Sequence, residues 1–268
     1  MRRTLARMLM ATAALVLGLV IFAPADAADI SDDDFKAMLD QDTKIINAAV
    51  ASVEKAEAKG KKVAEKNAGS GIKSSALMIA GYANARIDGK KADADGKSAA
   101  IRDTAIKIYK LAAAKDFKGV AEAAKTFANP TPAAGAKKMD LAALVKELGA
   151  TPEQEVSQKE VMHNFLKKEQ HGTNIEADII ANSKKAVAKP ADINLMAQRL
   201  MIMAEYNKIV IKADNADGKK MWAEYNDKMI KAVEGLQATT KKKTSAADLA
   251  KAFTAVDGSC KACHDDFK

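Results

Sequence analysis

The sequence predicts an all-α protein made of two halves with a similar order of helices. Of its 268 residues, 48% are hydrophobic and 29% are charged, which is a globular composition. Alanine and lysine are abundant and favour helices, whereas the aromatic residues that favour strands make up only 4%. Three short sequences recur at nearly constant spacing, as a diverged duplication would give, although chance similarity arises easily in such a chain. The pairs are 77–79 with 200–202, 94–97 with 216–219, and 124–127 with 250–253.

The first 27 residues resemble a secretory signal peptide. Arg2, Arg3 and Arg7 precede an apolar run over residues 8–22, and small residues at an A-x-A site end at Ala27. The apolar run is shorter than the roughly 20 residues of a membrane span, although an uncleaved anchor is the alternative. We therefore expect cleavage after Ala27, export to the periplasm or beyond the cell, and no membrane span in the mature chain.

Apolar residues at helical spacing predict four helices in the first half. Ser31 caps the first of them, followed by three aspartates that suit the helix dipole. We expect a break at residues 69–71 and a polar turn at residues 88–96. The predicted helices span residues 31–66, 74–87, 97–115 and 117–127.

Two prolines within residues 129–139 predict a linker, followed by a brief helix over 140–148. The second half then predicts one long helix over 151–189, with a kink near Gly172. Pro190 should end this helix and Asp192 should cap the next one. A third helix carries Trp222 and Tyr225, and Ser245 caps the last helix.

The last helix ends in a motif that carries chemistry. Its sequence Cys260-Lys261-Ala262-Cys263-His264 is C-x-x-C-H, the attachment sequence for haem c. Two residues three positions apart lie on one helix face, so both thiols can bond to the vinyl groups of one haem. The imidazole of His264 can then bind the iron.

Three other interpretations of the two cysteines remain open. A redox-active C-x-x-C disulfide would normally start a helix in an α/β unit, and no strands are predicted. A zinc site would need two further ligands, for which His163 and His171 are the candidates. A structural disulfide is the third interpretation, although disulfide-stabilised secreted proteins carry more cysteines, spread along the chain.

The ending C-x-x-C-H-x-x-Phe-Lys of a helical chain resembles the class II c-type cytochromes, that is, cytochrome c′ and cytochrome c-556. The resemblance spans roughly residues 151–268 and is strongest over 260–268. It implies an antiparallel four-helix bundle with the haem in its last helix, Cys260 and Cys263 as attachment residues, and His264 as proximal ligand. Because typical members are one bundle, the extra N-terminal half departs from the pattern.

The resemblance also implies that the first helix of the haem bundle supplies the distal side of the iron. Met162 is our candidate for the sixth ligand, and an ordinary core methionine is the alternative. His163 is the second choice, and His171 is expected at the surface. A distal methionine favours electron transfer, whereas an apolar residue leaves an open position for small gases.

We therefore predict two tandem antiparallel four-helix bundles, the second of which carries one covalently attached haem c at the end of its last helix. The expected function is one-electron transfer between redox proteins, with no enzymatic activity; gas binding or a docking role in a larger complex are the alternatives. The lysines at 184–185, 241–243 and 261 suit acidic redox partners, nucleic acid is not expected, and a homodimer is compatible with the resemblance. The predicted divisions are a signal peptide (1–27), a haemless bundle (28–128), a linker with a short helix (129–150) and a haem bundle (151–268).

Overall fold

Every regular element in the described part of the computed structural model is a helix, which confirms the all-α prediction. The structure describes residues 30–88, 92–149, 155–186, 188–210, 215–242 and 244–267. The signal-peptide prediction lies outside these residues. The first half contains α1 (Asp32–Glu54), α2 (Lys61–Ala85), α3 (Ala92–Ala113) and α4 (Phe117–Ala124), which continues into a 3₁₀ turn at Lys125–Ala128.

The second half contains a short linker helix and five further helices. Two 3₁₀ turns, His163–Phe165 and Lys168–Gln170, follow the second of them. The helices are α5 (Leu141–Leu148), α6 (Gln158–Met162), α7 (Ile175–Lys184), α8 (Pro190–Ile209), α9 (Ala216–Thr240) and α10 (Ala246–Asp266).

The helices of each half pack as a four-helix group. In the first half α1 packs on α2, α2 on α3, α3 on α4 and α4 back on α1. In the second half α8 packs on α9, α9 on α10, and α10 on α7. Short connections between consecutive packed helices give the antiparallel arrangement of a bundle.

The two halves share one continuous apolar core. Helix α2 packs against α6 and α8 of the second half, and α5 packs against α2, α3 and α8. Buried residues from both halves belong to a single hydrophobic cluster. The division of the chain at residues 128 and 150 stays a prediction.

The break predicted at residues 69–71 is wrong. Helix α1 ends at Glu54 rather than near Lys66, and α2 runs through Gly69 and Gly71. Gly71 lies against the segment that follows α6, because an added Cβ there would stand 2.4 Å from the Cβ of His171. This glycine therefore marks a close approach between the two halves, not the end of a helix.

The long helix predicted over 151–189 is also wrong. The described part of this region contains only the five-residue α6, two 3₁₀ turns and the ten-residue α7. His171 and Asn174 both have positive φ angles, of 61° and 67°, which reverse the chain between α6 and α7. The predicted N-cap at Asp192 is wrong as well, because Pro190 starts α8 as its first residue and Asp192 lies within the first turn.

In the described part of the chain, none of the helices combines the length and the hydropathy that crossing a bilayer requires.

Candidate haem-binding site

Helix α10 brings the two cysteines to the wall of a cleft. Ser245 caps this helix as predicted, since its Oγ accepts a hydrogen bond from the amide of Asp248 at 3.1 Å. Phe253 and Val256 are fully buried on one face of α10. Cys260 and Cys263 continue that face at three- and four-residue spacing, and both are half-buried. The core-facing side of α10 therefore turns both thiols inward at its C-terminal end.

The opposite wall of the cleft is largely apolar and aromatic. It is built by the segment around α6, by the end of α8 and by the first half of α9. The cleft has a volume of about 30 Å³, so a porphyrin enters only when its walls move apart. The lining residues are Gln158, Met162, Phe165, Asn207, Trp222, Tyr225, Asn226, Met229, Ser259, Cys260, Cys263 and His264.

All four residues selected from the sequence therefore line one cleft. Met162 ends α6 and is half-buried, while His264 is exposed near the end of α10. These four residues come from elements about a hundred residues apart in sequence, and the fold brings them together. The donor set of two thiols, one imidazole and one thioether fits a covalently held haem iron.

Asn207 is a polar residue of the cleft that the sequence analysis missed. Its Nδ2 lies 4.0 Å from the Sδ of Met162, and its backbone carbonyl accepts a hydrogen bond from Nε1 of Trp222 at 2.5 Å. Its Oδ1 is buried and has no hydrogen-bond partner in the described part of the chain. No local motif distinguishes this asparagine, because its role depends on the packing of α8 against α6.

Neither of the other two histidines lies on the cleft wall. His163, the second choice for the distal ligand, is buried, and its Nε2 lies 2.9 Å from the carbonyl oxygen of Gln170. Burial lowers the pKa of His163. His171 was expected at the surface but is half-buried against α1. Its Nε2 lies 3.3 Å from Oγ of Ser52.

The geometry also bears on the three alternative interpretations of the cysteines. Among the residues that the structure describes, no group of three or more His, Cys, Asp or Glu side chains is placed to hold a metal ion. No disulfide joins Cys260 to Cys263. Burial raises the pKa of the Cys260 thiol to about 11, whereas redox-active cysteines have a lowered pKa.

An aromatic cluster anchors the end of α10 beside the cleft. The ring of Phe267 meets the rings of Trp222 and Tyr225 edge to face, with centroids 5.1 Å and 6.1 Å apart. The hydroxyl of Tyr225 donates a hydrogen bond to the carboxylate of Asp266, which raises the pKa of Tyr225. These contacts hold the helix turn that carries His264 against α9.

Comparison with known families agrees with this geometry. The family model for cytochrome c′ matches residues 217–268, which span nearly all of α9 and all of α10. The C-terminal region is therefore similar to cytochrome c′. The matched residues include the C-x-x-C-H motif, so the match supports a c-type haem protein. Searches of curated proteins and of solved structures gave no match.

Proposed function

We propose that this protein is an exported mono-haem cytochrome that transfers single electrons between redox proteins. The observation that carries the proposal is the shared cleft, in which Met162 lies with Cys260, Cys263 and His264. A cleft that offered only His264 would suit an iron with an open sixth position. The thioether of Met162 in the same cleft suits a six-coordinate electron carrier. Gas binding is the outcome expected if Met162 does not bind the iron.

Each residue of the motif has a separate task in this proposal. The thiols of Cys260 and Cys263 would hold the haem covalently, and the imidazole of His264 and the thioether of Met162 would bind its iron. The bound haem supplies a one-electron Fe(III)/Fe(II) couple. The apolar and aromatic walls exclude water, and burial of this kind is one of the factors that set a haem potential.

Two exposed lysines stand beside residues that line the cleft. Nζ of Lys228 lies 4.8 Å from the ring centroid of Tyr225, which lines the cleft. Lys261, on α10 between the two cysteines, is largely exposed. Its Nζ forms an ion pair with Oδ2 of Asp257 at 2.5 Å. Positive charge near the exposed edge raises the encounter rate with acidic redox partners, which we propose as the partner class.

The proposal is tested on haem-loaded protein exported with its native N-terminus. Mass spectrometry should find one haem per chain, linked to the peptide that contains Cys260 and Cys263. The ferric protein should be low-spin and show a methionine-to-iron charge-transfer band. Replacement of Met162 by leucine should abolish this band, since leucine keeps the volume and removes the sulfur.

Met229 provides the matched control, because it is a second methionine on the wall of the same cleft. The Met229→Leu variant should keep the band. If Met229→Leu loses the band and Met162→Leu keeps it, the ligand assignment is wrong. A wild-type protein that is high-spin and takes up CO at once would instead establish the gas-binding function.

A further inference from the structure

The segment that carries Met162 has little structure of its own. Helix α6 has five residues and is followed at once by a 3₁₀ turn at His163–Phe165. A helix this short is not stable in isolation, because the entropy lost in forming its first turn outweighs the few hydrogen bonds that the turn makes. The position of Met162 therefore depends on the elements that α6 and the turn pack against. Helix α8 packs against α6 and α7 packs against the turn, but α2 of the first half packs against both.

The first contact lies two residues before Met162. Nζ of Lys73 on α2 donates a hydrogen bond to Oε1 of Glu160 at 2.6 Å, and the Glu160 side chain is only 6% exposed. The other carboxylate oxygen of Glu160 accepts hydrogen bonds from the amide and hydroxyl of Ser157. One carboxylate thus closes the N-terminal turn of α6 and ties it to the first half.

The second contact lies two residues after Met162. Nδ2 of Asn164 donates a hydrogen bond to Oγ of Ser74 at 2.6 Å, and both side chains are buried. Oδ1 of Asn164 accepts a hydrogen bond from Nη1 of Arg199 at 3.0 Å. The side-chain amide of Asn164 is buried, and both its nitrogen and its oxygen are hydrogen-bonded. These bonds fix the orientation of the turn, because losing either would leave a buried polar atom without a partner, which costs free energy.

We propose that the haemless half positions the distal ligand of the haem through the adjacent residues Lys73 and Ser74. These two residues form a clamp that holds Glu160 and Asn164 on either side of Met162. The proposal rests on the proposed function in one respect, namely that Met162 binds the iron. It assigns the N-terminal half a role in setting the ligation, and hence the reduction potential, of a haem that this half does not contain.

Two clamp variants of the haem-loaded full chain test this, Lys73→Met and Ser74→Ala. Each has a matched control. Ser75→Ala alters the next residue of α2, which is equally buried but about 100° further round the helix. Lys110→Met removes a lysine–carboxylate contact of similar length between α3 and α5, 2.7 Å to Glu147, in a more exposed setting.

The first measurement is hydrogen exchange of the amides in residues 158–165. Loss of one buried contact should speed this exchange about tenfold in each clamp variant, while exchange in α9 stays unchanged. The second measurement is the haem itself. The clamp variants should show a weaker methionine-to-iron band and a lower reduction potential than the controls, because methionine ligation raises the potential.

The two readouts separate the failure of this inference from the failure of the proposed function. The inference is overturned if exchange in residues 158–165 matches that of the controls, or if the band and potential of the clamp variants match theirs. If the wild-type protein lacks the band altogether, Met162 is not a ligand and the proposed function fails. In that case faster exchange alone would still establish the clamp, and unchanged exchange would remove it too.

Discussion

Arg199 on α8 holds the carboxylate of Asp42 on α1 in a fully buried ion pair. Nη1 and Nη2 of Arg199 lie 3.0 Å and 2.8 Å from the two carboxylate oxygens, and the side chains are 2% and 0% exposed. The hydroxyl of Tyr82 donates a third hydrogen bond to the same carboxylate at 2.8 Å. This bidentate pair joins the two halves of the molecule. Nη1 of Arg199 also donates a hydrogen bond to Oδ1 of Asn164, the residue that Ser74 of the clamp holds.

Removing the carboxylate charge should therefore destabilise the whole chain. The Asp42→Asn variant leaves the guanidinium of Arg199 buried without a counter-charge, which costs about 3–5 kcal/mol in comparable cases. Equilibrium unfolding in urea should show this loss. Glu122→Gln breaks the exposed pair with Lys125 and should cost less than about 1 kcal/mol. Equal losses in the two variants would contradict the argument.

The parts of the fold that were predictable depend on local sequence. The cap at Ser245, the helix it starts and the motif at its end are all specified within about twenty residues. The linker prolines and the helix over residues 141–148 are equally local, because proline and a capping aspartate act on their own backbone.

What the sequence did not predict depends on contacts between distant residues. The start signal at residues 151–153 and the stop at Pro190 predicted one helix through residues 163–174. The chain reverses there instead, because Asn164, Thr173 and His171 find partners outside a helix. The pairing of Ser74 with Asn164 and of Asn207 with Met162 joins residues far apart in the chain. Such pairs cannot be predicted from side-chain type and spacing, and a single sequence contains no covariation that would reveal them.

Two glycines of α2 should respond oppositely to alanine. In Gly71→Ala the new Cβ would meet the Cβ of His171 at 2.4 Å, so the contact between the halves must shift, at a cost of about 1–3 kcal/mol. In Gly69→Ala the nearest atom is the carbonyl oxygen of Ala112 at 3.9 Å, and the better helix propensity should add about 0.5–1 kcal/mol. Urea unfolding of both variants measures the difference. A stabilised Gly71→Ala would show that His171 does not pack there.

His171 should make the stability of the protein sensitive to acid. Burial lowers its pKa, so the unfolded chain binds a proton more readily than the folded chain does. The stability that this pKa difference contributes is fully present above the unfolded pKa of about 6.5. It is lost as the pH falls through the lower pKa of the folded chain. In the His171→Gln variant, the drop in Tm between about pH 7.5 and pH 5 should be smaller than in wild type. A drop of the same size would exclude His171 as a source of the acid sensitivity, and His163 would then be the group to replace.

Cys260 should be slow to react before haem is attached. Burial raises the pKa of its thiol from 9.0 to about 11, which reduces the thiolate fraction near pH 8 by about 100-fold. We expect iodoacetamide to label the folded, haem-free Cys263→Ser variant about 100-fold more slowly than the same variant in denaturant. Raising the pH from about 8 to about 10 should speed labelling of the folded chain by about tenfold per pH unit, because both values lie below the raised pKa. Equal rates in the folded and unfolded chain would show that the C-terminal turn of α10 does not stay packed on α9, and the cleft would then form only together with the haem.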